Sequence, residues 1–398
     1  MEDYYDSPEF QQILNDYHRM LNERGSVFME VEELIDIAKF YYGEGDTEKA
    51  LEVLNILQQL YADDDMVKIF AATIALDDDE KGIEKAKEII ADVVDKQEYE
   101  YFLLQAAILF KEGKKEEAER IIAENVSQIY EEERDYFIQD FCDTCLHYGH
   151  NDLAEKWIVR CKDKKSIEYI ELMVDIKKSS NNQEACIPLL NQLIDYDPYN
   201  TDYWHGLAGI YFLTERPQEA LNALDYILAI NPDDTIALAE KGGCLYDLEN
   251  YEAAIEIFKR CVALSDEHDT KGKFLLFRAY VANGQQEKAM EVFKKIMENP
   301  STPPEIYAYI AFSFVDMGAF QIAYELFSNS LPQTTEPIES AYAYYALCCY
   351  ELQHFLEFHS VLKIALKTDP DACERVLGHL YPTGTDPLDY PNYQPRNP

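Results

Sequence analysis

One short phrase returns along the chain at a near-constant interval, and nothing constrains the possible folds more. A turn residue and a few polar residues lead to a charged residue, an alanine and an apolar run of helical period. The phrase reads EGDTEKALEVL around Ala50 and EGKKEEAERII around Ala118. It recurs around Ala86, Ala154, Ala185, Ala220, Ala254, Ala289 and Ala323, at intervals of 36, 32, 36, 31, 35, 34, 35 and 34 residues. A tenth copy, LQHFLEFHSVL, lies 35 residues further on and carries Phe358 in place of alanine. Self-similarity at such a period marks an array in which each unit packs on the next.

Upstream of each phrase stands a second apolar run, for example TDYWHGLAGIYFL at 201–213, EIYAYIAFSFV at 305–315 and DYFIQDFCDTCL at 135–146. Spacings of i, i+3, i+4 and i+7 argue for amphipathic helices and against strands. Each unit is therefore two helices of about a dozen residues joined by a short turn. Gly45, Gly113, Gly149, Gly284 and Gly318 fall in that turn, where a left-handed residue ends the first helix. Pro198, Pro232 and Pro370 fall between units, where a helix must stop. The phased alanine marks the point at which two antiparallel helices approach closely, since only a small side chain fits there.

These residues resemble the tetratricopeptide repeat, whose 34-residue pattern runs W-x2-L-G-x2-Y, A-x3-F, P. Residues 201–234 carry Trp204, Leu207, Ala208, Tyr211, Ala220, Leu224 and Pro232 at the pattern positions. Residues 235–268 carry Leu238, Gly242, Leu245, Ala254 and Phe258, and residues 304–337 carry Tyr307, Ile310, Ala311, Phe314, Ala323 and Phe327. The remaining copies are looser: Asp77, Asp78 and Asp79 fill one inter-helix turn, and Pro188 falls inside a second helix. The resemblance implies an all-α fold, a right-handed solenoid of antiparallel helix pairs forming a superhelix.

Residues 31–370 would hold about ten such pairs. Residues 1–30 would supply an N-terminal capping helix, opened by Ser7-Pro8-Glu9 and running to about Arg24. Residues 371–380 would cap the other end. Residues 381–398, rich in Pro and Tyr, read as a mobile or extended tail. With Tyr381, Tyr390 and Tyr393 set among prolines, such a tail is also suited to lie in an aromatic groove of its own or a neighbouring chain.

Cys142, Cys145, His147 and His150, with Cys161 nearby, are zinc-ligand types at plausible spacing. Cys142 and Cys145 nevertheless fall on the packing face of a first helix, and both histidines flank the Gly149 turn, so packing is the better reading and no metal is expected. The runs Asp63–Asp65 and Asp77–Glu80 lack the alternating ligands and central glycine of a calcium loop. No phosphate-cradling loop or catalytic signature is present, so neither a catalytic activity nor a cofactor is expected. The nine cysteines fit reduced thiols used as small hydrophobes, and no leader or membrane-spanning stretch is visible, which points to the cytoplasm.

Acidic residues number 76 against 35 Lys and Arg, a formal charge of −41, which disfavours nucleic acid and anionic membranes as partners. Residues 1–100 alone hold 27 acids and 9 bases, so a basic partner would be steered to this third. In solenoids of this family the first helices line the concave face and receive peptides or helices. The first-helix residues not needed for packing are Tyr136, Gln139, Asp143, His205, Phe212, Tyr246, Phe274, Arg278 and Phe312, and these form the expected peptide-binding groove. The clamp that some relatives use for a chaperone's C-terminal carboxylate is not recognisable, because His205, Gly209, Ala239 and Gly243 occupy its places. The expected function is a non-catalytic scaffold or adaptor for a protein or peptide partner, with a holding chaperone for a basic or unfolded client as the alternative.

Overall fold

Helix follows helix in the computed structural model, which describes residues 2–5, 7–22, 29–77, 81–96, 98–266 and 269–396. Among the described residues there are α-helices and short 3-10 turns but no strand. The expected helix end near Arg24 and the acids Asp78, Asp79 and Glu80 lie outside the described residues.

The chain divides into two units, Met1–Leu189 and Leu190–Pro398. In the first, α1 (Glu2–Tyr5) and α2 (Pro8–Asn22) precede α3 (Val31–Gly43), α4 (Thr47–Leu60), α5 (Asp65–Leu76), α6 (Gly82–Ala91), α7 (Tyr99–Lys111), α8 (Lys115–Asn125), α9 (Arg134–His147), α10 (Asn151–Ile158) and α11 (Ile167–Ser179). The boundary falls within α12 (Cys186–Tyr196). The second unit continues with α13 (Thr201–Leu213), α14 (Pro217–Ile230), α15 (Thr235–Asp247), α16 (Tyr251–Leu264), α17 (Thr270–Ala282), α18 (Gln286–Met297), α19 (Pro304–Asp316), α20 (Phe320–Ser330), α21 (Ala341–Glu351), α22 (Phe355–Thr368) and α23 (Pro370–Leu377). Odd-numbered helices from α3 to α21 are the first members of pairs and even-numbered helices the second. Each unit is an all-α solenoid of such pairs. No described helix is long and apolar enough to cross a membrane.

The turn inside nine of the ten pairs has one backbone solution. Gly45, Gly113, Gly149, Gly284 and Gly318 have φ between 70° and 76°. At the same position in other pairs stand Asn181, Glu215, Glu249 and Gln353, with φ between 56° and 63°. The chain must reverse here within two residues, and the left-handed conformation does so whichever residue occupies it. The next residue caps the second helix in several cases: Asp46 accepts from the Lys49 amide at 3.1 Å and Asn250 from the Ala253 amide at 3.4 Å.

The phased alanines are the contact points. Ala50, Ala86, Ala118, Ala154, Ala220, Ala254, Ala289 and Ala323 are fully buried, as is Phe358. The fifth copy departs from the expected phase. Ala185 closes a 3-10 turn (Gln183–Ala185) and is only half-buried, while Cys186 is fully buried. Cys186 Sγ lies 3.6 Å from the Val174 carbonyl, so a thiol one residue later does the work of the methyl. The 3-10 turn also accommodates Pro188. The ring sits in the first turn of α12, where amide hydrogens lack intrahelical acceptors in any case.

Carboxylates at the start of first helices hold the linkers that leave their own pairs. Asp65 accepts from the amides of Val94 and Asp95, at 3.0 and 2.7 Å. Asp135 does the same for Lys162 and Asp163, at 2.9 and 2.8 Å. These bonds hold Asp65 well below the usual carboxylate range, at about 2, with the Asp95 amide first and Lys68 next among the causes.

Residues 381–396, expected as a mobile or groove-bound tail, pack on the end of the second unit instead. Tyr381 and Tyr390 stack at 3.9 Å and both are buried with α22 and α23. Tyr350 Oη donates to the Arg396 carbonyl, and the Arg396 amide donates to the Leu380 carbonyl at 2.8 Å. The physical reason is the aromatic area: two tyrosines beside the exposed flank of a terminal helix gain more by burial than a solvated tail would.

Candidate protein-interaction sites

Two surfaces on first helices stand out, one in each unit. In the first unit, α3, α5, α7 and α9 line a groove of about 580 Å³. Phe70, Leu103, Leu104 and Ala107 supply apolar wall. Lys39, Asp77, Glu100, Asp143 and His147 supply its charged and titratable groups. Tyr5 from α1 also lines it. Tyr42 Oη donates to Asp77, which fixes the tyrosine edge-on to Phe70, with the ring centroids 6.2 Å apart. Tyr148 stands by the same carboxylate, and burial followed by that charge pushes its phenol up to about 12.

The acid groups here are electrostatically crowded. Asp140 is raised to about 6 by burial and then by Glu100, with Lys39 and a hydrogen bond from Tyr99 acting in the opposite direction. Asp143 is raised to about 7 by desolvation first and then by Asp140 and Asp175. Its side chain still reaches solvent, so the desolvation comes from the surrounding walls and not from enclosure. Among the described residues no lysine or arginine forms an ion pair with Glu100 or Asp143.

Of the groove residues expected from sequence, Asp143 is in this wall. Tyr136 is on the same helix and well exposed. Gln139 is not available to a ligand: it is 7% exposed, because its position on α9 turns it into the packing between helices. Lys39, Tyr42, Phe70, Glu100 and Leu104 were not anticipated. The phase that selects Asp143 on α9 also selects Lys39 and Tyr42 on α3 and Glu100 and Leu104 on α7, whereas Phe70 on α5 stands out of that phase.

In the second unit the expected residues fall into two sets. His205 is tied up by its neighbours: Nε2 lies 3.2 Å from Asp234 Oδ2 and Nδ1 lies 3.8 Å from Glu240 Oε2. Asp234 is the N-cap of α15, so His205 braces adjoining pairs and is not a free groove residue. Phe212 is well exposed on α13. Tyr246, Phe274, Arg278 and Phe312 do come together. The Arg278 guanidinium lies 4.8 Å from the Tyr246 ring and 5.8 Å from the Phe274 ring. Phe274 meets Tyr309 at 6.1 Å, Tyr309 meets Phe312 at 6.5 Å, and Phe312 meets Tyr344 edge-on at 5.1 Å. The result is an aromatic ladder across α15, α17, α19 and α21, open to solvent at Tyr309.

The cysteine–histidine constellation does not converge. Cys142 and Cys145 are fully buried, and Cys142 Sγ lies 3.5 Å from the Ala154 carbonyl. Burial drives both thiols far above their ordinary range. His150 packs on Phe110 at 4.4 Å, while His147 faces the groove. Among the described residues no three His, Cys, Asp or Glu side chains are grouped to hold a metal ion.

Paired helices with left-handed turns and phased small residues define an α-solenoid repeat protein. Two family profiles, both described as tetratricopeptide repeat, match residues 178–241 and 214–269. Residues 178–269 thus carry tetratricopeptide repeats. The chain is 24% identical over 135 residues to the tetratricopeptide repeat-containing protein trd-1 of Caenorhabditis elegans, a match covering 34% of this chain and 17% of the relative. It is 27% identical over 152 residues to the RNA polymerase-associated protein CTR9 of Saccharomyces cerevisiae, covering 35% of this chain and 14% of that one. The matches thus span less than a fifth of either relative. A crystal structure of MamA is similar with a TM-score of 0.36 and 20% identity, covering 40% of this chain and 93% of MamA.

Proposed function

We propose that this protein is a non-catalytic adaptor whose first unit holds a peptide segment in the groove between α3 and α9. The segment carries apolar side chains together with a lysine or arginine. One observation carries this reading: an apolar groove of about 580 Å³ presents Glu100 and Asp143 without an ion-pair partner among the described residues. Apolar wall supplies affinity by area, and two carboxylates supply the preference for a cation. The tetratricopeptide fold supports a role in protein interaction, and CTR9, by its name, is associated with RNA polymerase. A small adaptor surface of this kind acts by bringing a partner's segment to a fixed place and needs no chemistry of its own.

Selection of a random peptide display library on the immobilised full chain tests this. Enriched peptides should place lysine or arginine next to Leu, Phe or Tyr. Enrichment should collapse for the double variant Ala107→Arg, Asp143→Asn, which blocks the wall and removes the charge. Peptides of no common chemistry, or enrichment unaffected by the double variant, would refute the groove. Suppression of aggregation of many unfolded clients, equally unaffected, would support the holding-chaperone alternative.

A further inference from the structure

The second unit carries a surface of opposite preference, which the proposed groove does not explain. α17, with sequence TKGKFLLFRAYVA, holds Lys271, Lys273 and Arg278 and no acid. Every other first helix of this unit carries at least one acid and a net negative or neutral charge. Lys271, Phe274 and Arg278 fall at i, i+3 and i+7, on one stripe of α17.

Arg278 is the centre of the stripe. Among the described residues no carboxylate pairs with Arg278, whose described contacts are the rings of Tyr246 and Phe274. These two ring contacts engage the charge, and among the described residues no acceptor takes the guanidinium N–H groups. An unused fork accepts a carboxylate in a two-bonded geometry that a lysine cannot provide. Beyond Phe274 the ladder continues through Tyr309, which is 45% exposed, to Phe312 and Tyr344. Exposed ring faces and edges favour aromatic or proline side chains, which lose little entropy on docking.

We infer that this stripe is a second docking site, for an extended peptide segment carrying Asp or Glu beside tyrosine or proline. The carboxylate takes the Arg278 fork and the rings take the Tyr309–Tyr344 end. Four first helices, three intervals of about 8–10 Å, make the stripe about 24–30 Å long. An extended segment of about nine residues spans it. The protein would thus hold two segments of opposite charge, a basic one on its first unit and an acidic one on its second.

The probe is a nine-residue capped peptide repeating tyrosine, glutamate and proline, labelled for fluorescence anisotropy, with a second peptide in which glutamine replaces glutamate. The full chain should bind the glutamate peptide about tenfold more tightly than the glutamine peptide, as one added charge-assisted contact gives. Arg278→Gln should abolish that preference without moving the thermal unfolding midpoint. Arg278→Lys, which keeps the charge and loses the fork, should retain only part of it. Tyr309→Ala should weaken both peptides alike. Equal binding of the two peptides, no binding of either, or a preference that survives Arg278→Gln would overturn the inference. So would a dimer in sedimentation analysis that dissociates on Arg278→Gln, since a second copy would then be the occupant. Because the acidic groove of the first unit is untouched by these variants, a failure here leaves the basic-segment reading standing, and the reverse also holds.

Discussion

Gly242 on α15 lies against the ring of Phe258 on α16: a methyl added at Gly242 would stand 2.3 Å from Phe258 Cε1. Phe258 is 1% exposed and Gly242 is buried, so neither side can give way cheaply. The two helices of this pair are close because one of them has no side chain at that level. Gly242→Ala should therefore destabilise the second unit by about 1–3 kcal/mol through overpacking. Chemical denaturation of the variant measures it, and an unchanged midpoint would show that the ring has room to move.

Glu249 makes the opposite case. Its φ is 59°, at the turn position that Gly284 and Gly318 occupy in later pairs at 70°. A side chain in this conformation costs roughly 1–2 kcal/mol, part of which the greater freedom of an unfolded glycine returns. Glu249→Gly should raise the unfolding midpoint, by about 0.5–1 kcal/mol of stability. A fall in midpoint would mean that the glutamate side chain makes a contact worth more than the strain.

The helix pairs were legible because their determinants are local and periodic. Fully buried Ala50 and Ala254 and the positive φ of Gly45 and Gly113 are all readable from spacing. The slip at Ala185 was not, because a single 3-10 turn shifts the phase by one residue, and Cys186 is as acceptable a small hydrophobe as alanine. The left-handed Glu215 and Gln353 were invisible for a related reason: turn geometry imposed by two packed helices overrides residue preference. On the surfaces, the contact of Arg278 with Phe274, four residues away, follows from one helix, whereas what a side chain does when neighbouring helices arrive does not. His205 is held by Asp234 from the following pair, and Gln139 is buried by helices on either side. Those outcomes depend on contacts about thirty residues away in sequence, as the His205–Asp234 separation of 29 shows.

The first-unit groove predicts a pH response. Asp143 and Asp140 titrate near 7 and 6 in the folded chain, both raised, with burial the first cause of each. Glu100 and Asp175 add to the rise, while Lys39 and Tyr99 restrain it at Asp140. A raised acid holds its proton more tightly folded than unfolded, so folding takes up protons between the ordinary carboxylate range and about pH 7. Stability therefore falls as pH rises through that window and recovers as pH falls. Carboxylates held low, such as Asp65 at about 2, act in the opposite sense but only below the ordinary carboxylate range. Thermal midpoints should rise on acidification from above 7 toward 6, and Asp143→Asn should flatten the upper part of that rise. Affinity for a lysine-bearing peptide should fall over the same interval as the carboxylates neutralise. A variant whose midpoint follows the wild-type curve would show that Asp143 does not titrate there.

The final prediction concerns the folded-back C-terminal segment. Tyr381 and Tyr390 are each 2% exposed and stack on one another over α23. They close the apolar flank that the last helix pair would otherwise present to water. Deleting residues from 381 onward should therefore destabilise the second unit by about 2–4 kcal/mol, the range for losing large buried side chains. Amide exchange should rise most in α22 and α23 and least in α13 and α14, because in a repeat array each element feels mainly its neighbours. The packing is not perfect: the Tyr381 hydroxyl is buried with no hydrogen-bond partner among the described residues. Removing an unsatisfied hydroxyl while keeping the ring should be neutral or favourable by up to about 1 kcal/mol. Tyr381→Phe should accordingly hold or raise the midpoint while Tyr381→Ala lowers it. Equal losses in both variants would mean the hydroxyl is bonded after all, and no loss in either would mean the segment does not cap the array.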